Sequence, residues 1–225
     1  LQEEEFGMYG CDFCEGGLWG CWGVVGRGEM KQIFTEIWDA AFPYQDKRND
    51  EGHAEITLKY ARKLVELDRG DEGIIVPAII LHDVGWSQIP REEIEVIFDL
   101  NAPKEKKLPV RHKHQKEGVK LARRILNGAN YPSILTDKIL EIISQHDTRQ
   151  GFLSKEDGLA RDADKLWRFS RTGFYADLTR TGESPKSLYE YAKGKIALKD
   201  FFYSGSSRQI AREELELRKK ELRIV

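Results

Sequence analysis

Beyond residue 21 the chain has no cysteine, since Cys11, Cys14 and Cys21 all fall within CDFCEGGLWGC. A disulfide framework for the rest of the chain is therefore excluded. Cys11 and Cys14 form a CxxC, half of a zinc or redox pattern, but no second CxxC and no nearby histidine completes a ligand set. Long apolar runs are missing as well; none approaches the roughly 20 residues of a membrane-spanning helix. A surplus of one charge is also absent. The 36 Lys+Arg and 38 Asp+Glu leave a formal net charge of −2, which argues against general nucleic-acid or membrane-surface binding. The N-terminus opens acidic, LQEEEF, unlike the basic-then-apolar start of a signal peptide, and the expected compartment is the cytoplasm. No stretch alternates apolar and polar residues convincingly enough to mark a strand.

What is present is helical periodicity. Hydrophobic residues make up 40% and charged residues 33%, with both signs mixed, in 225 residues, enough for one sizeable domain. Residues 1–29 are rich in glycine, cysteine and tryptophan without periodicity and read as a poorly structured extension. MKQIFTEIWDAAF follows as an amphipathic start, making Met30 a candidate natural first residue, and 30–225 forms the helical domain. HAEITLKYARKLVELD places Thr57, Tyr60, Ala61 and Leu64 at helical spacing from His53. GIIVPAIILHD starts after Gly73, with Pro77 as a kink or first turn. REEIEVIFDL, HQKEGVKLARRIL and YPSILTDKILEIISQHD give further helices. EDGLARDADKLWRF follows Ser154 as cap, and SPKSLYEYAKGKIALKDFF opens with Ser184 as cap and Pro185 in the first turn. SSRQIAREELELRKKELRIV closes the chain, and its charged face leaves a homo-oligomer possible. The fold class is all-α, with loops expected at 86–92, 101–111 and 147–157.

The histidines carry the chemistry. His82 lies three and four residues after Ile79 and Ala78, on the buried face of its helix, and His146 stands likewise to Ile143 and Ile142. His53 heads an apolar stripe. A buried imidazole beside a buried carboxylate, as in His82-Asp83, is costly unless both are satisfied. A divalent cation accepts neutral imidazoles and carboxylates together, so Asp83 reads as a metal ligand. LARDADKLWRF offers a further carboxylate. Asp162 and Asp164 cannot share a face; Asp164 lies between Ala160 and Trp167 on the apolar side, whereas Asp162 is expected nearer solvent.

His53, then HD at 82–83, then Asp164 in DADKL resembles the HD-domain superfamily of metal-dependent phosphohydrolases. The likeness runs from about residue 40 to the end and includes HDVGW, where stand-alone members show HD, an apolar residue and glycine. It implies an HD-type helical bundle with the metal site between core helices, and His53, His82, Asp83 and Asp164 as core metal ligands. Two-metal members add two histidines. His114, followed by Gly118 at the family spacing, and His146, ending an Ile-rich helix, fit those places, with Asp83 bridging and His112 left outside. The second HD dipeptide, His146-Asp147, shows how little the dipeptide alone means.

The nitrogen and oxygen ligand set favours one or two divalent ions, Mn, Fe, Co, Ni or Mg, over structural zinc. The resemblance implies hydrolysis of a phosphate ester or anhydride of a nucleotide or small phosphorylated metabolite, with a metal-bound hydroxide as attacking group. Asp83 and Lys165 are the catalytic candidates; Lys165, Arg168 and Arg171 are candidates for holding phosphate, and Trp86 for stacking on a ring. The chain departs from the family at Ile56, where nucleotide-acting members often carry arginine, and at Trp86, where many members have lysine. The acidic pair of alarmone hydrolases after HD is not visible. A di-iron oxygenase of the same superfamily and a non-catalytic metal- or nucleotide-binding regulatory module are the alternatives.

Overall fold

The most apolar segment of the chain is also the most enclosed. In a computed structural model, which describes residues 30–224 except 49, 100 and 101, every residue of Ile74–Leu81 is buried. These residues form most of α3 (Glu72–Leu81), a helix apolar all round and therefore fit only for the centre of a bundle. Around it pack α1 (Gln32–Ala41), α2 (His53–Asp68), α6 (Ser133–Gln145) and α7 (Lys155–Leu166). The remaining helices are α4 (Arg91–Phe98), α5 (Lys104–Gly128), α8 (Arg171–Thr181), α9 (Pro185–Ala197) and α10 (Gly205–Glu221), with no strand among the described residues. The fold is all-α. None of these helices is long and apolar enough to cross a membrane. The expectations for residues 1–29 lie outside the described residues.

Local chemistry explains the boundaries. Asp71 caps α3 by accepting the Gly73 N–H at 2.9 Å, and Ser154, Ser170, Ser184 and Ser204 cap α7 to α10 in the same way. Pro77 lies inside α3 and has no N–H for the Gly73 carbonyl one turn earlier. The Tyr131 hydroxyl donates to that carbonyl instead, at 2.7 Å. Two expectations are corrected. The loop placed at 101–111 is helical from Lys104, because the carbonyl that Pro109 leaves unpaired belongs to exposed Glu105, where water can serve it. Helix α8, over RTGFYADLTRT, was not marked by periodicity; it buries only Gly173, Phe174 and Asp177.

A second, smaller apolar cluster sits beside the main core: Trp86, Ile89, Ile94 and Val110, with Ile97 and Phe98 against it. It ties the tight turn over Val84–Gln88 and α4 to the start of α5. The polar side chains of the next section converge where this cluster meets the main core.

Candidate metal centre

Each ligand candidate of the centre is delivered by a helix end or a helix face. His53 is the first residue of α2, and the Asp46 carboxylate fixes that end by accepting the N–H groups of Gly52 and Ala54, each at 3.0 Å. His82 and Asp83 follow the last turn of α3, and His146 follows α6. Leaving a helix in this way lets each imidazole reach back along it: His82 Nδ1 meets the Ile79 carbonyl at 2.7 Å and His146 Nδ1 the Ile143 carbonyl at 2.9 Å. That bond puts the ring proton on Nδ1 and leaves the Nε2 lone pair free to face inward, which is how ligating imidazoles are prepared. His114 projects from the middle of α5, fully buried.

The turn after Asp83 is pressed onto α5. A Cβ on Gly85 would lie 2.1 Å from the His114 carbonyl oxygen and 2.5 Å from the Gly118 nitrogen, so only glycine permits the approach that brings Asp83 to His114. Trp86 completes the wall, with its indole stacked on the His114 ring at 4.0 Å and its Nε1 donating to Asp83 Oδ1 at 3.1 Å.

Two groups of donors share Asp83. On one side, His53 Nε2 lies 3.2 Å from His82 Nε2, 3.3 Å from Asp83 Oδ2 and 3.4 Å from Asp164 Oδ1. His82 Nε2 is 3.5 Å from both of those oxygens. On the other side, Asp83 Oδ1 lies 3.4 Å from His146 Nε2 and 3.9 Å from His114 Nε2. His53, His82 and Asp164 form one candidate ion-holding triad, and Asp83, His114 and His146 a second.

The residues fit a cation. His114 Nε2 and His146 Nε2 are buried without a hydrogen-bond partner, and the facing lone pairs of His53 and His82 cannot satisfy one another unless one ring is protonated. Burial opposes charge on His82, yet Asp83 and Asp164 push its pKa up to about 9, so the surrounding charge favours a cation at this position. Burial alone would raise Asp83, but the Arg48 guanidinium and His82 hold it well below the usual carboxylate range. Asp164, raised by burial, is brought down to about 2 by His82 and His53. Ionised carboxylates among imidazoles, all of them nitrogen or oxygen donors, suit a divalent cation.

The six ligand candidates thus come together, while His112 lies exposed on the outside of α5. The substrate candidates fare less evenly. A cavity of about 530 Å³ is bordered by His53, His146 and Asp164, and Lys165 and Arg168 line it. The Lys165 ammonium donates to the Phe201 carbonyl at 2.5 Å, and Arg168 pairs with Asp177 at 2.8 Å. Arg171 does not border the cavity; it is exposed, 3.7 Å from Glu221. Trp86 is buried, with one face against His114, and offers no open ring for stacking. Asp162, expected nearer solvent, is fully buried because the Tyr203 and Ser204 N–H groups donate to its two oxygens, each at 2.9 Å.

Three residues of the centre were not singled out from sequence. Arg48 reaches in from the segment before α2 and pairs with both Asp50 and Asp83. Arg111 lies 3.0 Å from Asp147, the residue set aside as part of a chance dipeptide. A cationic residue just ahead of the first histidine, and a carboxylate adjoining the last, were the available signals.

The family model for the HD domain matches residues 51–168, more than half of the chain and the whole span from His53 to Asp164. The chain belongs to the HD-domain family. A crystal structure of a predicted HD superfamily hydrolase from an uncultured Thermotogales bacterium is similar to this HD-domain chain with a TM-score of 0.52 and 16% identity, over 85% of this chain and 87% of that one. At that identity the likeness speaks for the fold. Among curated proteins none matches.

Proposed function

We propose that this HD-domain protein is a metal-dependent phosphohydrolase, cleaving a phosphate ester or anhydride in a small molecule such as a nucleotide. The observation that carries the reading is two His/Asp triads, with Asp83 a member of the second and within 3.5 Å of both histidines of the first, at the edge of a cavity rich in cations. His53, His82, Asp83 and Asp164 would hold one divalent ion, and Asp83, His114 and His146 a second. Such ions, when bound, supply a nucleophile at neutral pH by lowering the pKa of coordinated water, and they offset charge on phosphoryl oxygens.

The chain's own side chains would do the rest. Arg48 and Arg111 touch site carboxylates and line the cavity, as do five further cations: Lys107, Arg161, Lys165, Arg168 and Arg180. Guanidinium groups bind phosphate oxygens in pairs, and the seven lining cations outnumber the five lining carboxylates (Asp50, Asp147, Asp164, Asp177 and Glu183), so the lining favours an anionic substrate. Arg48 supplies from the preceding segment the cation that Ile56 does not. Lys165 adjoins Asp164 and, with Arg168, would hold the distal part of the substrate. The volume lies within the range of small-molecule sites.

The test is phosphate release from a panel of nucleotides and small phosphate esters, without oxygen, with Mn²⁺ or Ni²⁺ added. Turnover lost on chelation and in Asp164→Asn is the expected result. Activity that instead requires iron and consumes O₂ would make the protein an oxygenase. Metal binding without consumption of any phosphorylated compound would make it a regulatory module.

A further inference from the structure

Asp147, directly after His146, is partly buried beside the second triad and also borders the cavity. Its Oδ2 lies 3.5 Å from His114 Nε2 and 4.0 Å from His146 Nε2. The three atoms are buried; neither imidazole nitrogen has a hydrogen-bond partner, and the Asp147 oxygen has only the ion pair with Arg111 at 3.0 Å. The His114 ring is fully buried and stacked against Trp86, and both its nitrogens lack hydrogen-bond partners. The turn is also fixed: oriented to accept the Asp147 N–H at 3.0 Å and to donate to Thr148 Oγ1 at 3.1 Å, the buried Gln115 amide holds Asp147 in place.

Two simpler roles account for less. A carboxylate that orients a ligating histidine sits at the ring nitrogen turned away from the ion. Asp147 instead stands at Nε2, the nitrogen that also faces Asp83. A partner for Arg111, 3.0 Å away, explains the charge of Asp147 but leaves both imidazole nitrogens unsatisfied. Donors bound to one ion at about 2.1 Å stand roughly 3.0 Å apart when adjacent and roughly 4.2 Å when opposite. The four carboxylate–imidazole separations, of Asp83 and Asp147 from His114 and His146, run from 3.4 to 4.0 Å and fall between those limits.

We propose that Asp147 is a ligand of the second ion. The second set then becomes two imidazoles and two carboxylates, matching His53, His82, Asp83 and Asp164 in donor type and charge. The proposal rests on the metal-binding part of the reading above, and is independent of whether the protein turns over a phosphate.

Mn²⁺ binding to the chelator-treated full chain, followed by calorimetry and by electron paramagnetic resonance, tests it. The unmodified protein should take up two ions. Asp147→Asn should weaken one of them by about tenfold or more and spare the other, whereas Asp164→Asn should weaken the other. Asp147→Glu, which returns the carboxylate, should recover part of the loss. In chelator the unmodified protein and Asp147→Asn should melt alike, and added Mn²⁺ should raise the melting temperature less in the variant. Two ions bound with unchanged affinity in Asp147→Asn would overturn the proposal, as would uptake of a single ion by the unmodified protein. Two ions held through Asp147 without any phosphate release would remove the phosphohydrolase reading and leave this one standing.

Discussion

The two halves of the centre are assembled differently. The first closes on itself: His53 and His82 are within 3.2 Å, Asp164 is within 3.5 Å of both, and the edge of Trp167 packs on His53. The second is wider, spreads over 3.4 to 4.0 Å, and leaves the Nε2 atoms facing Asp83 without hydrogen-bond partners, whereas in the first it is His53 Nδ1, on the other side of its ring, that lacks one. One half is largely set by contacts among its own members. The other is held open by its surroundings, by the glycine contact at Gly85 and the Trp86 stack, and depends more on what enters it. Asp83 is the one residue common to both, with Oδ2 facing the first half and Oδ1 the second.

The largest effect should therefore come from erasing the contrast. Asp83→Ala should remove both ions and abolish turnover, a loss beyond the roughly 10–100-fold that outer-shell changes cost, as read by metal analysis and phosphate release. Gly85→Ala should separate the halves. Its methyl must push the turn off α5, at about 1–3 kcal/mol of stability by chemical denaturation, and the ion at His114 and His146 should be lost before the one at His53 and His82. Paired substitutions on α7 sharpen the picture further. Asp162→Asn should cost about 1.5–3 kcal/mol, from weakened charged hydrogen bonds to Tyr203 and Ser204, with both ions retained, while Asp164→Asn should lose one ion at a smaller cost in stability. Smallest of all, His112→Ala should leave metal content unchanged and stability within about 0.5 kcal/mol, since the ring is exposed.

Helical phase made most of this architecture readable. The spacing of His82 and His146 behind isoleucines points them inward because side chains three and four apart share a face, and both rings lie in the buried centre. Phase failed where a distant backbone decides the outcome. Asp162 and Asp164 differ in sequence only by their neighbours, and the N–H groups that draw Asp162 inside belong to residues 203 and 204. Arg48 escaped notice because it lies in a segment with no period at all, and Asp147 because its neighbour carried the stronger pattern. Arg171 shows the reverse error: proximity in sequence to Asp164 does not survive the turn into α8, which carries its side chain to Glu221.

A missing amide hydrogen has a reach out of proportion to its size. Because Pro77 cannot serve the carbonyl of Gly73, a phenol from the lead-in to α6 takes up the slack. The strut that ends in the histidine-aspartate pair is thereby lashed, at its opposite end, to the strut that ends in His146. Two arms that meet around the same ions are thus also fastened far behind them, so any drift in the angle between them is resisted at both extremities.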